Sequence, residues 1–344
     1  VVGVNAAVGQ ASTTGSSKID IDNVTFTGND IDITAGDHGA VTVNTVGITV
    51  GAVSVGAIVA GAENSGNTEI EITSSKAENK NADKESDITI STDKANTVDA
   101  HAIGGAGGAV AGQGVVATAS DSGASSITLG AENDVSKANS FVVNKVNIAA
   151  SAKPVVKAVA DSAAVSIFGT AGASVATAEA TGTVNVNVYD GNTLEADDVN
   201  ISGDAGTQEG KNTAEAKVVG NSGSGYATVA ANAATADVTT KVNVNVGDVN
   251  YKTKTEQVFV GYEDVEGSTT GERVEVTKPV DKGATNLNIS GSNSSKAAAD
   301  AKGITIGGIF SSGNNQAFTT NKATTNVSVS GGSEETLLKS LNIT

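Results

Sequence analysis

The sequence lacks cysteine, methionine and tryptophan altogether, and only 3% of its 344 residues are aromatic. Globular proteins of this length normally fill their interior with Leu, Phe, Met and Trp. Here the interior has to be built from Val, Ile and Ala, which predicts a narrow core whose layers repeat. Without cysteine, a zinc site would need both histidines together with carboxylates, and the compartment is left open.

Positive charge is also scarce. Acidic residues number 38 against 21 basic ones, the formal net charge is −17, and Arg273 is the single arginine. Binding to nucleic acid or to an anionic membrane surface requires a basic face, usually rich in arginine, so the sequence argues against both partners. A strongly acidic surface favours solubility and mutual repulsion. The chain starts at Val1 without a signal-like segment, and we expect it to be a processed or excised piece of a longer protein.

One apolar run, residues 46–62, has the lower-limit length for a membrane-spanning helix. It is rich in glycine and has no Lys or Arg at its flanks. We therefore interpret it as a buried pair of strands rather than as a membrane span.

Strict alternation of apolar and polar residues is the dominant pattern. The stretch Val184-Asn185-Val186-Asn187-Val188 returns almost unchanged at Val242–Val246. Such alternation of β-branched residues is typical of a strand with one buried face. It is too regular for disorder, which so polar a composition would otherwise allow. Degraded copies begin at Ile19, Ile70, Ile127 and Val327.

The copies recur with a constant period. Successive first residues are 51, 57, 57, 58 and 85 positions apart. A second marker, apolar-polar-apolar before a small residue, gives separations of 57, 58, 53, 88 and 54. Two markers with one period predict an internal repeat of about 57 residues. The second marker begins at Ile31, Ile88, Val146, Val199, Leu287 and Leu341.

The spacing between the two markers predicts a β-solenoid. The distance from each second marker to the next first marker is near 39 residues, about twice the distance near 19 from a first marker to the second marker that follows it. This suggests a third strand midway along the longer distance, at Val53, Val110, Ile167, Val219 and Ile306. Each repeat then reads as three coils of roughly 19 residues, giving an all-β parallel β-helix of about 18 coils, roughly 85 Å long at ~4.8 Å per coil. On this count Asn185 and Asn243 lie three coils apart and cannot form a direct ladder. The predicted inward residues are Ile31, Ile33, Ile70, Ile72, Val146, Ile148, Val184, Val186, Val199, Ile201, Val242 and Val244.

One segment, residues 250–283, exceeds the period by roughly 30 residues. Alternating runs at 257–262 and 273–277, with turn residues between them, predict a β-hairpin that projects from the solenoid. The chain then divides into coils at 1–249, the hairpin, and further coils at 284–344. Excursions from repetitive scaffolds often carry function. Since binding surfaces favour aromatics and arginine, the candidate ligand-binding residues are Tyr251, Phe259, Tyr262 and Arg273. The alternative is that the hairpin folds back and covers a coil edge.

The remaining groups of candidate residues are better explained as solvent-exposed positions or as chance matches to a motif. His38 and His101, with Asp37 and Asp99 nearby, suggest acid–base chemistry, but solvated loop positions explain them better. Gly112-x-Gly114-x-x-Ala117 lacks the strand-then-helix context of a dinucleotide site. No catalytic residue, cofactor or metal ligand is predicted, apart from weak calcium binding at an acidic strand face. That face comprises Asp20, Asp22, Asn29, Asp30 and Asp32.

The motifs Asp197–Ser202 (DDVNIS) and Asn29–Thr34 (NDIDIT), each followed by a long Ala/Val/Gly stretch, resemble repeats of giant Gram-negative surface adhesins. These are the filamentous-haemagglutinin-like and leukotoxin-like exoproteins. The resemblance implies a right-handed parallel β-helix, exported by two-partner secretion or as an autotransporter, and located extracellularly or at the cell surface. The secretion-signal domain typical of the group's N-terminus is absent from this sequence.

The function we expect is a non-catalytic, rigid β-helical stalk of a surface or secreted fibrous protein. Its hairpin would contact a receptor or glycan on a host or neighbouring cell. Two alternatives are a self-assembling surface-layer or matrix fibre, whose end coils stack on copies of itself, and a carbohydrate-active β-helix of the lyase or tailspike kind. The latter needs clustered carboxylates with Lys or Arg, and the single arginine counts against it.

Overall fold

The computed structural model describes residues 1–78, 86–252, 255–264, 273–281, 285–331 and 338–344. About four fifths of these residues lie in β-strands, and within them there is no α-helix; a single 3₁₀ turn spans Val135–Lys137. The alanine-rich stretches are extended as well, because their alternate residues point into a shared interior. The all-β prediction is therefore confirmed.

The strands before the middle of the chain are β1 Val2–Thr13, β2 Ser17–Asp22, β3 Thr25–Thr27, β4 Asp30–Asp37, β5 Ala40–Asn64, β6 Thr68–Thr73, β7 Lys76–Glu78, β8 Asp87–Lys94, β9 Thr97–Leu129, β10 Ser140–Val142, β11 Lys145–Ala152 and β12 Val155–Val188. Those that follow are β13 Thr193–Glu195, β14 Asp198–Ala205, β15 Ala214–Ser224, β16 Ala227–Val246, β17 Asn250–Lys252, β18 Thr255–Asp264, β19 Arg273–Asp281, β20 Thr285–Asn293, β21 Ala297–Gly307, β22 Phe310–Asn321, β23 Thr324–Val329 and β24 Leu338–Ile343.

Three parallel sheets run through the molecule. The largest contains β1, β5, β9, β12, β15 and β21 in spatial order, with β2, β6, β16, β22 and β23 on its continuation. The second has the order β4-β8-β11-β14-β20-β24, and the third consists of the short strands β3-β7-β10-β13-β17. Strands of successive repeats lie next to each other in each sheet, which is the arrangement of a parallel β-helix.

The register shows that one coil takes a whole repeat. Val53 pairs with Val110, Val156 with Ala214, and Val184 with Val242, so in these ladders the neighbouring strands are 57 or 58 residues apart. The predicted division of each repeat into three 19-residue coils is wrong, and so are the count of about 18 coils and the length of 85 Å. The described residues form six wide coils: β1–β4, β5–β8, β9–β11, β12–β14, β15–β20 without the separate strand pair β18–β19, and β21–β24.

The interior consists of two separate apolar clusters. Core 1 lies between the second sheet, the short third sheet and the last part of the large sheet, and contains Ile, Val and Leu with Phe141 at one corner. All predicted inward residues lie in core 1, where Ile31 is partly buried and the others are 0–7% exposed. Their prediction is confirmed, because alternation reports burial whatever the length of the coil.

Core 2 is narrower and lines a flat extension that we call the fin. The fin is formed by residues 40–64 and their register partners 97–121, 155–180, 214–238 and 297–321. In each coil the chain runs out along one wall, bends near residues such as Gly51, and returns along the other. Ala dominates the inner faces. Glycine allows the closest approach: a Cβ on Gly47 would overlap the Ile58 side chain.

The inserted strands β18 and β19 pair with each other in antiparallel fashion. In the described part of the chain no ladder joins them to the three parallel sheets. The coil continues as far as β17, which pairs with β13, so the insertion is shorter than the predicted 250–283. The predicted turn at 266–271 lies outside the described residues.

Candidate functional site

Two exposed aromatic rings form the most distinctive feature of the inserted strand pair β18–β19. Phe259 and Tyr262 are 51% and 59% exposed, and their ring centroids lie 5.1 Å apart at an interplanar angle of 66°. This is the edge-to-face geometry that aromatic pairs prefer. Val260 and Val274 of the same strand pair are also about half exposed. These four residues thus present apolar and aromatic side chains to solvent.

A β-bulge places the two rings together. Residues 259 and 262 are three apart, and in a regular strand they would point to opposite faces. Phe259 pairs with Thr277 and Gly261 with Val276, so Val260 is an extra residue in the ladder. The extra residue shifts the alternation by one. The sequence identifies both aromatics as candidates but does not predict that they pair. Its one signal for the bulge is the glycine at position 261, whose φ is 154° in the structure.

Tyr251 does not belong to the hairpin. It lies in β17, in register with Leu194 of β13, and packs against core 1. Burial raises the pKa of its hydroxyl far above the ordinary value, and that oxygen has no hydrogen-bond partner among the described residues. Tyr251 is therefore a wall residue of the coil. Arg273 begins β19, with its backbone paired to Asp264, and its side chain lies outside the described part.

Amide ladders run along the outer surface of the coils. Asn243 Nδ2 donates to Asn185 Oδ1 at 2.9 Å, and Asn326 Nδ2 donates to Asn243 Oδ1 at 3.1 Å. Asn245 and Asn187 form a parallel pair at 2.9 Å. The prediction that these copies are too distant for a direct ladder is wrong, since one repeat is one coil. The expected orientation, with Val inward and Asn outward, is confirmed by the burial of Val184 and Val242.

Each histidine bridges two coils through an aspartate. His38 Nε2 lies 2.9 Å from Asp93 Oδ2, and His101 Nε2 lies 3.0 Å from Asp161 Oδ2. His101 sits within β9 rather than in a loop. The predicted neighbours Asp37 and Asp99 are not their partners in these contacts. The pairs hold adjacent coils together on the outside of the molecule.

The acidic strand face was considered for calcium binding and the glycine motif for dinucleotide binding, and the structure shows the surroundings of both. Asp22 accepts hydrogen bonds from Thr73 and Lys137 at 2.8 and 3.4 Å, and the first of these holds the pKa of Asp22 below its ordinary value. Among the described residues no cluster of three or more His, Asp or Glu side chains is arranged to hold a metal ion. Gly112 and Gly114 both lie in the interior of strand β9, and not at a junction between a strand and a helix as in a dinucleotide site.

The apolar run 46–62, predicted as a buried pair of strands, is extended but lies within the single strand β5, and its outward-facing residues are exposed. No helix in the described ranges is long and apolar enough to cross a bilayer. Exposed apolar side chains continue along the fin's free edge, and we call this set the apolar rim. It comprises Val46, Ile48, Val50, Val165, Ile167, Phe168, Tyr226, Ile304, Ile306, Ile309 and Phe310.

Comparisons with protein-family models, curated proteins and solved structures each gave no match. The expected kinship with Gram-negative surface adhesins thus rests on the sequence motifs alone.

Proposed function

We propose that this chain is a non-catalytic structural and adhesive segment of a bacterial cell-surface or secreted fibrous protein, exported by two-partner secretion or as an autotransporter. The observation that supports this best is the continuous parallel ladder, in which every coil pairs in register with the next. Such a ladder resists extension along the axis, because many backbone hydrogen bonds must break together. With a whole repeat in each coil, the segment is wide and gains little length per residue.

The adhesive part of the proposal concerns the hairpin. We place it as a projection from the coils that contacts a receptor or glycan on a host or neighbouring cell. Exposed, paired aromatics such as Phe259 and Tyr262 are the residue type enriched at binding hot spots. Nucleic acid is not an expected partner, since the net charge is −17.

The test compares the intact chain with a variant that lacks residues 253–280, using binding to host cells and to a glycan array. A Phe259→Ser/Tyr262→Ser variant probes the same surface without shortening the chain, and circular dichroism reports whether the coils remain folded. Phe318→Ser is the matched control, because Phe318 is similarly exposed, at 53%, but lies on the fin and outside the apolar rim. We expect both hairpin variants to lose binding and the control to retain it. Equal binding by all variants, or none by the intact chain, would refute the adhesive role of the hairpin.

Self-assembly into a fibre is the second candidate function. The apolar rim supports it, because several coils each expose large apolar side chains there, and exposed apolar patches usually mark an interaction site. Light scattering over a range of protein concentrations separates the candidates. A mass that rises with concentration and falls back in an Ile304→Asp/Ile306→Asp variant would favour assembly through the rim.

A further inference from the structure

A lysine and an aspartate are completely enclosed where core 1 meets core 2. Lys94 Nζ lies 2.8 Å from Asp121 Oδ2, and each side chain is 1% exposed. Asn64 Nδ2 donates to the other carboxylate oxygen, Asp121 Oδ1, at 2.5 Å, and Lys94 Nζ also donates to the carbonyl of Ser122 at 3.0 Å. Among the ion pairs of the described residues, this is the one in which both partners are buried.

The fold does not require an ion pair at this position. One coil further on, the register partner of Lys94 is Ala152 and that of Asp121 is Ala180. These alanines are also buried, and they close the same junction without charge. Taking two charges out of water costs several kcal/mol per ion, and a well-packed apolar pair is often as stable or more so. The three polar side chains Asn64, Lys94 and Asp121, which meet at the contact between two successive coils, therefore call for an explanation other than packing.

We propose that Lys94 and Asp121 condense to form an intramolecular isopeptide bond. The reaction begins with proton transfer along their hydrogen bond, which converts the ion pair into a neutral amine and a carboxylic acid. The free amine is a nucleophile, and it lies within reach of the carboxyl carbon because it already contacts Oδ2. Strands hold both groups, so attack needs little reorganisation.

The atoms of the reaction balance without an outside reagent. The Lys94 Nζ–Cγ bond forms at Asp121, and negative charge develops on Oδ1, where the Asn64 amide N–H stabilises it. Oδ2, already protonated, takes a second proton from the attacking nitrogen. The Cγ–Oδ2 bond then breaks and one water molecule leaves. The product is a neutral amide that ties β8 to β9 of the following coil, 27 residues along the chain, and this conclusion does not depend on the proposed adhesive role.

Mass spectrometry of the purified, denatured chain tests the proposal directly. We expect the intact mass to fall below that of the sequence by one water molecule. An isopeptide at Lys94 also blocks trypsin there, so residues 85–137 should be released as one peptide that carries the loss. Mapping is needed because a succinimide at the Asp190-Gly191 step would lose water as well.

Three variants complete the test. Lys94→Arg keeps the cation but cannot form the amide, and should have the full sequence mass. Lys18→Arg, in the exposed ion pair with Glu71, should still show the loss. Asn64→Ala should slow the reaction and leave a larger unreacted fraction than in the wild type. A wild-type mass equal to the sequence, or cleavage after Lys94, would overturn the proposal. Loss of ammonia instead of water would make Asn64 the acceptor and overturn the role of Asp121.

Discussion

At the scale of single residues, side-chain size decides how closely the walls of the fin approach. Gly104 faces the opposite wall, and a Cβ there would overlap Val115 and Gln113. Its register partners Gly47 and Ser162 are also small, and Ser162 bonds across to Ser174 at 2.6 Å. The adjacent Gly105 points outward, where an added Cβ would make ordinary contacts with Ile48 at 3.6 Å. One face of this strand therefore requires small residues and the other does not.

We expect Gly104→Ala to lower the free energy of unfolding by about 1–3 kcal/mol, because an overpacked core forces side chains and backbone to shift. Gly105→Ala is the matched control, and should change it by no more than about 0.5 kcal/mol or raise it slightly. Urea denaturation followed by circular dichroism measures both. Equal effects of the two substitutions would mean that the walls of the fin do not approach as closely as described.

At the scale of strands, polar side chains on the outer surface link each coil to the next. Asp93, at the end of β8, receives hydrogen bonds from Ser151 of β11 at 2.6 Å and contacts His38 of the preceding coil. Burial alone would raise the pKa of Asp93, but these two hydrogen bonds and the nearby Lys153 outweigh it and hold that pKa below its ordinary value. Ionised Asp93 therefore stabilises the stack of coils.

The pKa of Asp93 predicts a loss of stability in acid. Because the folded pKa lies below the unfolded value of about 3.9, the contribution is complete above that value and is lost as pH falls through the folded pKa. We expect Asp93→Asn to be less stable than wild type at pH 7 and the difference to shrink below about pH 4. Urea titrations at several pH values measure it. As a control, Thr34→Ala removes the Thr34–Ser91 contact, which does not titrate, so its effect should not vary with pH.

At the scale of the whole molecule, the 58-residue register makes each coil a removable unit. Repeat proteins gain stability as a sum over units and their interfaces. Val156 pairs with Ala214, so deleting residues 156–213 brings Ala214 into the position of Val156. The remaining strands of all three sheets then keep partners one repeat away.

We expect this deletion variant to fold with an unchanged circular dichroism spectrum per residue. Since the m-value scales with the surface exposed on unfolding, it should fall by roughly one sixth. A variant lacking only residues 156–174, one coil under the 19-residue interpretation, should fail to fold because it removes most of one fin wall and places the wrong residues in register. If the 156–174 deletion folded and the 156–213 deletion did not, the conclusion that one coil takes a whole repeat would be wrong.

The sequence by itself determined the local features of this protein: the all-β content, the repeat, the inward faces of residues such as Ile70 and Val184, and the position of an insertion. Alternation is a property of neighbouring residues, and it persists however the strands are stacked. The candidate aromatics Phe259 and Tyr262 could also be identified from the sequence, because their residue type and their place in the insertion are local features.

Only the tertiary structure decided which strands pair, and therefore how long a coil is. Coils of 19 and of 57 residues satisfy the same period, and the choice depends on contacts between residues 57 positions apart, such as Val53 and Val110. The fin and the meeting of Lys94 with Asp121 follow from those distant contacts. No local pattern encodes them, because each depends on two segments whose separation in space the sequence does not state.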